Sequence, residues 1–124
     1  MSSLLSHAAQ ITANQDMAKH LESLHTDATL GDGSRQWRMT CYFYAAAHHV
    51  EEQLQKHGYG PSGNHSARKK NLRHVWHASR PNAVKAYMDL ETRSRETRYD
   101  GIVPTDPELS DAQRQLNEVL ADLI

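Results

Sequence analysis

Residues 42–54 read YFYAAAHHVEEQL, residues 58–64 GYGPSGN and residues 65–77 HSARKKNLRHVWH. The first piece, extended back to Met39, is apolar nearly all round as far as Val50. A helix without a polar face needs other helices on every side, so this one, expected from about Arg35 to His57, is the central element of a bundle. Ala45, Ala46 and Ala47 remove side-chain bulk at one level and let neighbouring helices approach closely. Towards its C-terminal end Tyr44, His48 and Glu52, or Glu51 in its place, recur at helical spacing. They form a polar column on an apolar body, and such a column needs partners.

GYGPSGN is a loop and a third helix starts around His65 or Ser66. At about 100° per residue, Leu72, Val75, Trp76 and Ser79 share a core stripe, and His65 and Arg68 fall on the same inward side. Lys70, Arg73, His77 and Arg80 fall on the outer side. Upstream, Leu4, Ala8, Ile11, Met17, Leu21, Leu24 and Ala28 mark an amphipathic helix from Leu4 to about Thr29, interrupted near Asn14. GDGS at 31–34 reads as a turn in which Ser34 caps the central helix. Downstream, Pro81 restarts the chain into a fourth helix ending at Tyr99, with Ala83, Tyr87, Leu90 and Ser94 inward. Arg93, Arg95 and Arg98 suit the negative end of its dipole. A last helix begins at Asp106 before Pro107, or at a Ser110/Gln113 capping box, and points Leu109, Leu116, Leu120 and Leu123 inward.

The bulk properties agree with one all-α domain, an antiparallel bundle of four to five helices. The 124 residues suffice for a single core, only 6% are aromatic, and Gly and Pro number six and four. A lone Cys41, no signal pattern and no apolar run near twenty residues point to the cytoplasm and away from a membrane. The net charge of −1 conceals an asymmetry. Residues 53–88 hold Lys56, Arg68, Lys69, Lys70, Arg73, Arg80 and Lys85 without one Asp or Glu, so the acids all lie elsewhere.

Several pieces in their order resemble the HEPN family of small helical-bundle proteins: HAAQITANQDMAKHL at 7–21, WRMTCYFYAAAHHVEEQL at 37–54, NHSARKKNL at 64–72 and AYMDLETRSRETRYD at 86–100. The resemblance implies an antiparallel bundle that dimerises. It also implies a setting in bacterial conflict or stress systems, toxin–antitoxin or phage defence, where many members are metal-independent ribonucleases and others are non-catalytic binding domains. The family's active site is an Arg followed four to six residues later by His, brought together across the dimer, and here the matching pair is Arg68 and His74. On an unbroken helix these two point about 120° apart, so the nuclease reading requires His74 to bridge two faces.

Metal-free RNA cleavage needs a base for the 2′-OH, a cation for the phosphorus-borne charge and an acid for the leaving oxygen. An imidazole and a guanidinium suit those tasks, with His74 or His65 as the base and Arg68 as the cation. The competing reading makes His65 and Arg68 a structural brace against Glu51 or Glu52 beside His48. Lys69, Lys70, Arg73, His77 and Arg80 are candidates for phosphate contact, against the plainer reading of a solvated face. The partner is then RNA or, for a non-catalytic interaction or nucleotide-binding module, an acidic antitoxin-like protein. The nine histidines show no zinc-ligand spacing, so neither metal nor cofactor is called for. Cys41 reads as an inert buried thiol, and Trp37, Tyr42, Tyr44 and Trp76 as core side chains rather than base-stacking platforms.

Overall fold

A computed structural model describes residues 6–23 and 31–124, and within them the chain forms five α-helices and no strand. These are α1 (His7–Ser23), α2 (Gly31–Lys56), α3 (His65–Trp76), α4 (Pro81–Tyr99) and α5 (Asp106–Asp122). The first helix expected from Leu4 to Thr29 is present as α1; Leu4, Leu24, Ala28 and Thr29 lie outside the described residues. No helix among the described residues is long and apolar enough to cross a membrane.

The central position of α2 follows from its composition. It packs against all four other helices, and Met39, Phe43, Ala45, Ala46, Val50 and Leu54 are sealed within the core. The covering helices contribute Leu72 and Trp76 from α3 and Ala83, Tyr87 and Leu90 from α4. From α5 come Leu109, Ala112, Leu116 and Val119, and Leu123 joins them just beyond its end. Where the side chains are smallest, at Ala45 and Ala46, nothing is exposed, as a close approach of backbones demands. By contrast α1 approaches only α2 among the described residues. One neighbour covers only a narrow strip, so Ala18 is buried and Ile11 packs beside it, whereas Met17, expected on the apolar face, is 49% exposed.

The helix ends show where local rules held and where they yielded. GDGS is not a turn before α2 but its first turn. Glycine is tolerated at a helix start better than in its interior, and Asp32 sits at the positive end of the dipole. The other end of α2 closes in a Schellman motif, with Gly58 at φ +90 and the Tyr59 N–H donating to the Leu54 carbonyl at 3.0 Å. Asn64 caps α3, its side chain accepting from Ala67 N at 2.8 Å. Pro81 opens α4 as expected. The last helix starts at Asp106 as expected, and its cap is not Ser110 but Thr105, which shares a reciprocal capping box with Glu108.

The four-residue connection from His77 to Arg80 folds α4 back antiparallel to α3. This sets the N-terminal end of α3, at His65, beside the C-terminal half of α4, which carries Glu91, Arg95 and Arg98.

Candidate nucleic-acid interface

The polar column on α2 meets its partners on α3 and α4. Arg68 reaches back from α3 and donates from Nε to Glu51 Oε1 at 3.2 Å, and from a terminal nitrogen to the Tyr87 hydroxyl at 3.4 Å. The same terminal nitrogen lies 3.0 Å from His65 Nδ1. Ser62, from the loop, donates its backbone N–H to Glu51 at 3.2 Å, and its hydroxyl donates to the other carboxylate oxygen. It is therefore Glu51, and not Glu52, that completes the inner cluster; the half-buried Glu52 stands one position round the helix from it. Tyr44 and His48, the other members of the column, turn to different neighbours. The Tyr44 hydroxyl accepts from Arg98 at 3.1 Å, and His48 Nδ1 lies 3.1 Å from Nδ1 of His7 on α1.

Burial and charge tune this cluster in opposite directions. Burial works against the Glu51 charge, but the Ser62 and Arg68 hydrogen bonds outweigh it and hold the carboxyl below its usual range. The Arg68 guanidinium also loses solvation, and Tyr87 and Glu51 more than compensate, so it stays charged. Tyr87, sealed in the core, is pushed up to about 12 by its burial. His65 is lowered, first by burial and then by Arg68. Neutral at pH 7, it accepts the Arg68 hydrogen bond through Nδ1.

Beside this cluster lies an open cleft of about 490 Å³, lined by Asn64, His65, Ser66, Lys69, Arg95, Arg98 and Tyr99. No carboxylate lines it. Lys69 is partly neutralised from beneath, because its Nζ lies 2.8 Å from Glu91 Oε1, and Glu91 is only 4% exposed. Arg98 carries no carboxylate partner among the described residues. It donates to the Ser94 carbonyl and hydroxyl and to Tyr44, and its guanidinium lies over the rings of Phe43, Tyr44 and Tyr99 at 5.9, 5.6 and 5.2 Å. Arg95 is exposed and makes no ion pair among the described residues. Tyr99 is 72% exposed at the rim.

The outer stripe behaves differently. Lys70, Arg73, His74 and His77 line a shallow, solvent-facing groove, and Arg80 follows at the exposed start of α4. The His74 ring sits edge-on to Tyr59 at 6.3 Å. Arg68 faces inward to Glu51, so within one chain Arg68 and His74 occupy separate surroundings. Lys69, grouped with the outer stripe by sequence, instead belongs to the inner cleft through Glu91. Of the seven basic residues in 53–88, Arg68, Lys69 and Lys85 are paired to Glu51, Glu91 and Asp89. Lys56, Lys70, Arg73 and Arg80 are left as the segment's unpaired charge among the described residues.

Four residues of this surface escaped the sequence reading. Arg95 and Arg98 passed as ordinary dipole-complementing cations, and Tyr99 as a helix end. Trp37, expected in the core, is 62% exposed. Tyr42 and Trp76 are buried as expected, and burial pushes the Cys41 thiol up, in keeping with an inert core cysteine. Among the described residues no three of His, Cys, Asp and Glu are grouped closely enough to hold a metal ion. Compared with known protein families, curated proteins and solved structures, the chain matches none of them.

Proposed function

We propose that this protein is an RNA-directed helical-bundle protein of HEPN-like type, which holds RNA phosphates in the cleft between the start of α3 and the end of α4. The observation that carries this reading is the lining of that cleft: His65, Lys69, Arg95 and Arg98 converge next to an exposed Tyr99 with no carboxylate in the lining, Glu91 lying buried beneath Lys69 and His65. Guanidinium groups take phosphate oxygens in pairs, and an aromatic ring at the rim suits a base rather than an acidic side chain. The sequence resemblance supplies the setting, a bacterial toxin–antitoxin or phage-defence system. A homodimer is part of the same proposal, since the family's Arg–His pair works across two protomers.

Strand scission, where it accompanies binding, falls in this reading to His65. Its imidazole lines the cleft, is neutral at pH 7 and lies next to the guanidinium of Arg68. Arg68 itself is a positioning residue, turned inward to Glu51 and Tyr87. The test is RNA binding by the full chain at low salt, followed across a salt series. Arg95→Ala and Arg98→Ala are expected to weaken binding and to flatten the salt dependence by about one unit of log–log slope each. RNA that does not bind at low salt, with an acidic protein co-purifying instead, would favour the second reading, a non-catalytic module that docks an acidic partner. The outer groove of Lys70, Arg73 and His77, which has no Tyr or Trp in its lining, is the surface suited to such a partner.

A further inference from the structure

We infer that an unpaired nucleobase stacks in a second subsite, the groove between Trp37 and Arg98 that adjoins the phosphate cleft, so that the surface reads RNA through an exposed base as well as through its backbone. This rests on the RNA-directed reading above and deepens it. The groove measures about 190 Å³ and is lined by Gln36, Trp37, Thr40, Thr97 and Arg98. That is below the roughly 300–1,000 Å³ of pockets for drug-sized ligands, and it suits one planar ring system.

Arg98 lines both the groove and the cleft, so a strand with a phosphate at Arg95 and Arg98 carries its neighbouring base directly to Trp37. The wall chemistry fits a base. Trp37 offers a face that is 62% exposed, and Tyr99 stands on the cleft side of Arg98. Gln36 gives its amide N–H to the Gly101 carbonyl at 3.3 Å, which leaves its side-chain oxygen for an exocyclic amino group. The Thr40 hydroxyl donates to the Gln36 carbonyl at 3.1 Å and keeps its lone pairs as acceptors.

Base pairing hides base faces inside the helix, so stacking on side chains selects unpaired nucleotides. The exposed apolar residues here, Trp37, Tyr99, Ile102 and Val103, also pose the question of a second copy of this chain. Pairing two such faces would bring two sets of Arg95 and Arg98 together, which like-charge repulsion opposes. A polyanion with an unpaired base satisfies both the cations and the rings.

The chain has two tryptophans, and Trp76 is only 3% exposed, so quenching of intrinsic fluorescence reports on Trp37. The experiment titrates the full-length protein at low salt with a roughly 12-nucleotide oligocytidine strand, whose bases carry the exocyclic amino group, and with a duplex RNA of equal length. The expected result is at least tenfold tighter binding of the single strand, with Trp37 quenching in the wild type; read by the anisotropy of labelled RNA, Trp37→Phe keeps that affinity and Trp37→Ala loses it by about tenfold. Duplex affinity is expected to be the same in Trp37→Ala and wild type, because phosphate contacts remain. Equal single-strand and duplex affinity with a silent Trp37→Ala overturns the base subsite and leaves the phosphate reading standing. No binding of either RNA overturns both. A fluorescence change that follows protein concentration rather than RNA assigns the face to self-association and overturns the subsite.

Discussion

The two faces of α3 carry the same residue types and use them differently. On the inner face Arg68 and Lys69 each meet a buried carboxylate, Glu51 at 3.2 Å and Glu91 at 2.8 Å. On the outer face Lys70 and Arg73 meet solvent. A run of basic residues is therefore not a uniform charge. What decides the role of each cation is whether a neighbouring helix places an acid opposite it, and α2 and α4 do so on one side only.

The strongest way to break this contrast is to delete one partner on each face. Arg68→Ala leaves Glu51 buried with Ser62 but without its cation, and truncating one member of a buried pair costs about 3 kcal/mol or more. Arg73→Ala removes a solvated charge and is expected to stay within about 0.5 kcal/mol of wild type. Urea denaturation of both variants measures the difference. Equal midpoints would mean that the inner network contributes no more to stability than the surface does.

The second comparison concerns RNA rather than stability. Arg95→Ala with Arg98→Ala is expected to reduce affinity at low salt by about a hundredfold, as two charge-assisted phosphate contacts are lost. Lys70→Ala with Arg73→Ala is expected to change it less than fivefold, since that groove is shallow and offers charge and imidazoles but no Tyr or Trp ring to stack on. If the outer pair proves the more damaging, the phosphate site lies on the outer stripe and the cleft reading fails.

Much of this contrast was legible beforehand, and the exceptions have physical causes. The all-round apolar run at 39–50 identified the central helix because a helix with no polar face has one destination. Counting 100° steps separated His65 and Arg68 from Lys70 and Arg73 correctly. Counting failed to choose between Glu51 and Glu52, which flank the column symmetrically at three and four residues from His48. The choice was made by Ser62, a loop residue whose approach no periodicity encodes. Arg98 was hidden for a different reason. A cation near a helix C-terminus has a sufficient local explanation, and only the antiparallel return of α4, itself implied by the short connection after Trp76, brings it opposite His65. Trp37 was misplaced because an aromatic residue in an apolar helix is assigned to the core, and near the start of α2 periodicity alone does not encode that its ring stays 62% exposed.

Acid should weaken the inner side selectively. His48, His49 and His65 are each lowered chiefly by burial, so in the folded state they bind protons less readily than in the unfolded chain, where the imidazole titrates near 6.5. Their contribution to stability is complete above that value and is lost as pH falls below it. Glu51, also lowered, holds its contribution to lower pH and loses it as the carboxyl is protonated. His49 donates to the Leu123 carbonyl at 2.8 Å and ties the end of the chain to α2, and His48 faces His7, where a second proton would set two charges 3.1 Å apart. The urea midpoint is expected to fall between pH 7 and pH 5, with His48→Gln reducing the slope. A flat profile over that interval would remove the histidines from the stability argument.

The smallest expected effect is the sharpest test of the difference between a paired and an unpaired cation. Glu91 is buried, gives one oxygen to Lys69 and keeps the other, which has no hydrogen-bond partner among the described residues, 3.8 Å from His65 Nδ1. Glu91→Gln keeps the shape and removes the charge. Lys69 then faces the cleft as an uncompensated cation, while His65 loses a neighbour that raises its pKa and becomes still harder to protonate. The first change favours phosphate and the second leaves binding at pH 7 untouched, because His65 is already neutral there. RNA affinity at low salt should rise about threefold, and the log–log salt slope should steepen by up to about 0.9 if Lys69 gains a phosphate. An unchanged slope would show that Lys69 does not reach the strand, and that the cleft works through Arg95 and Arg98 alone.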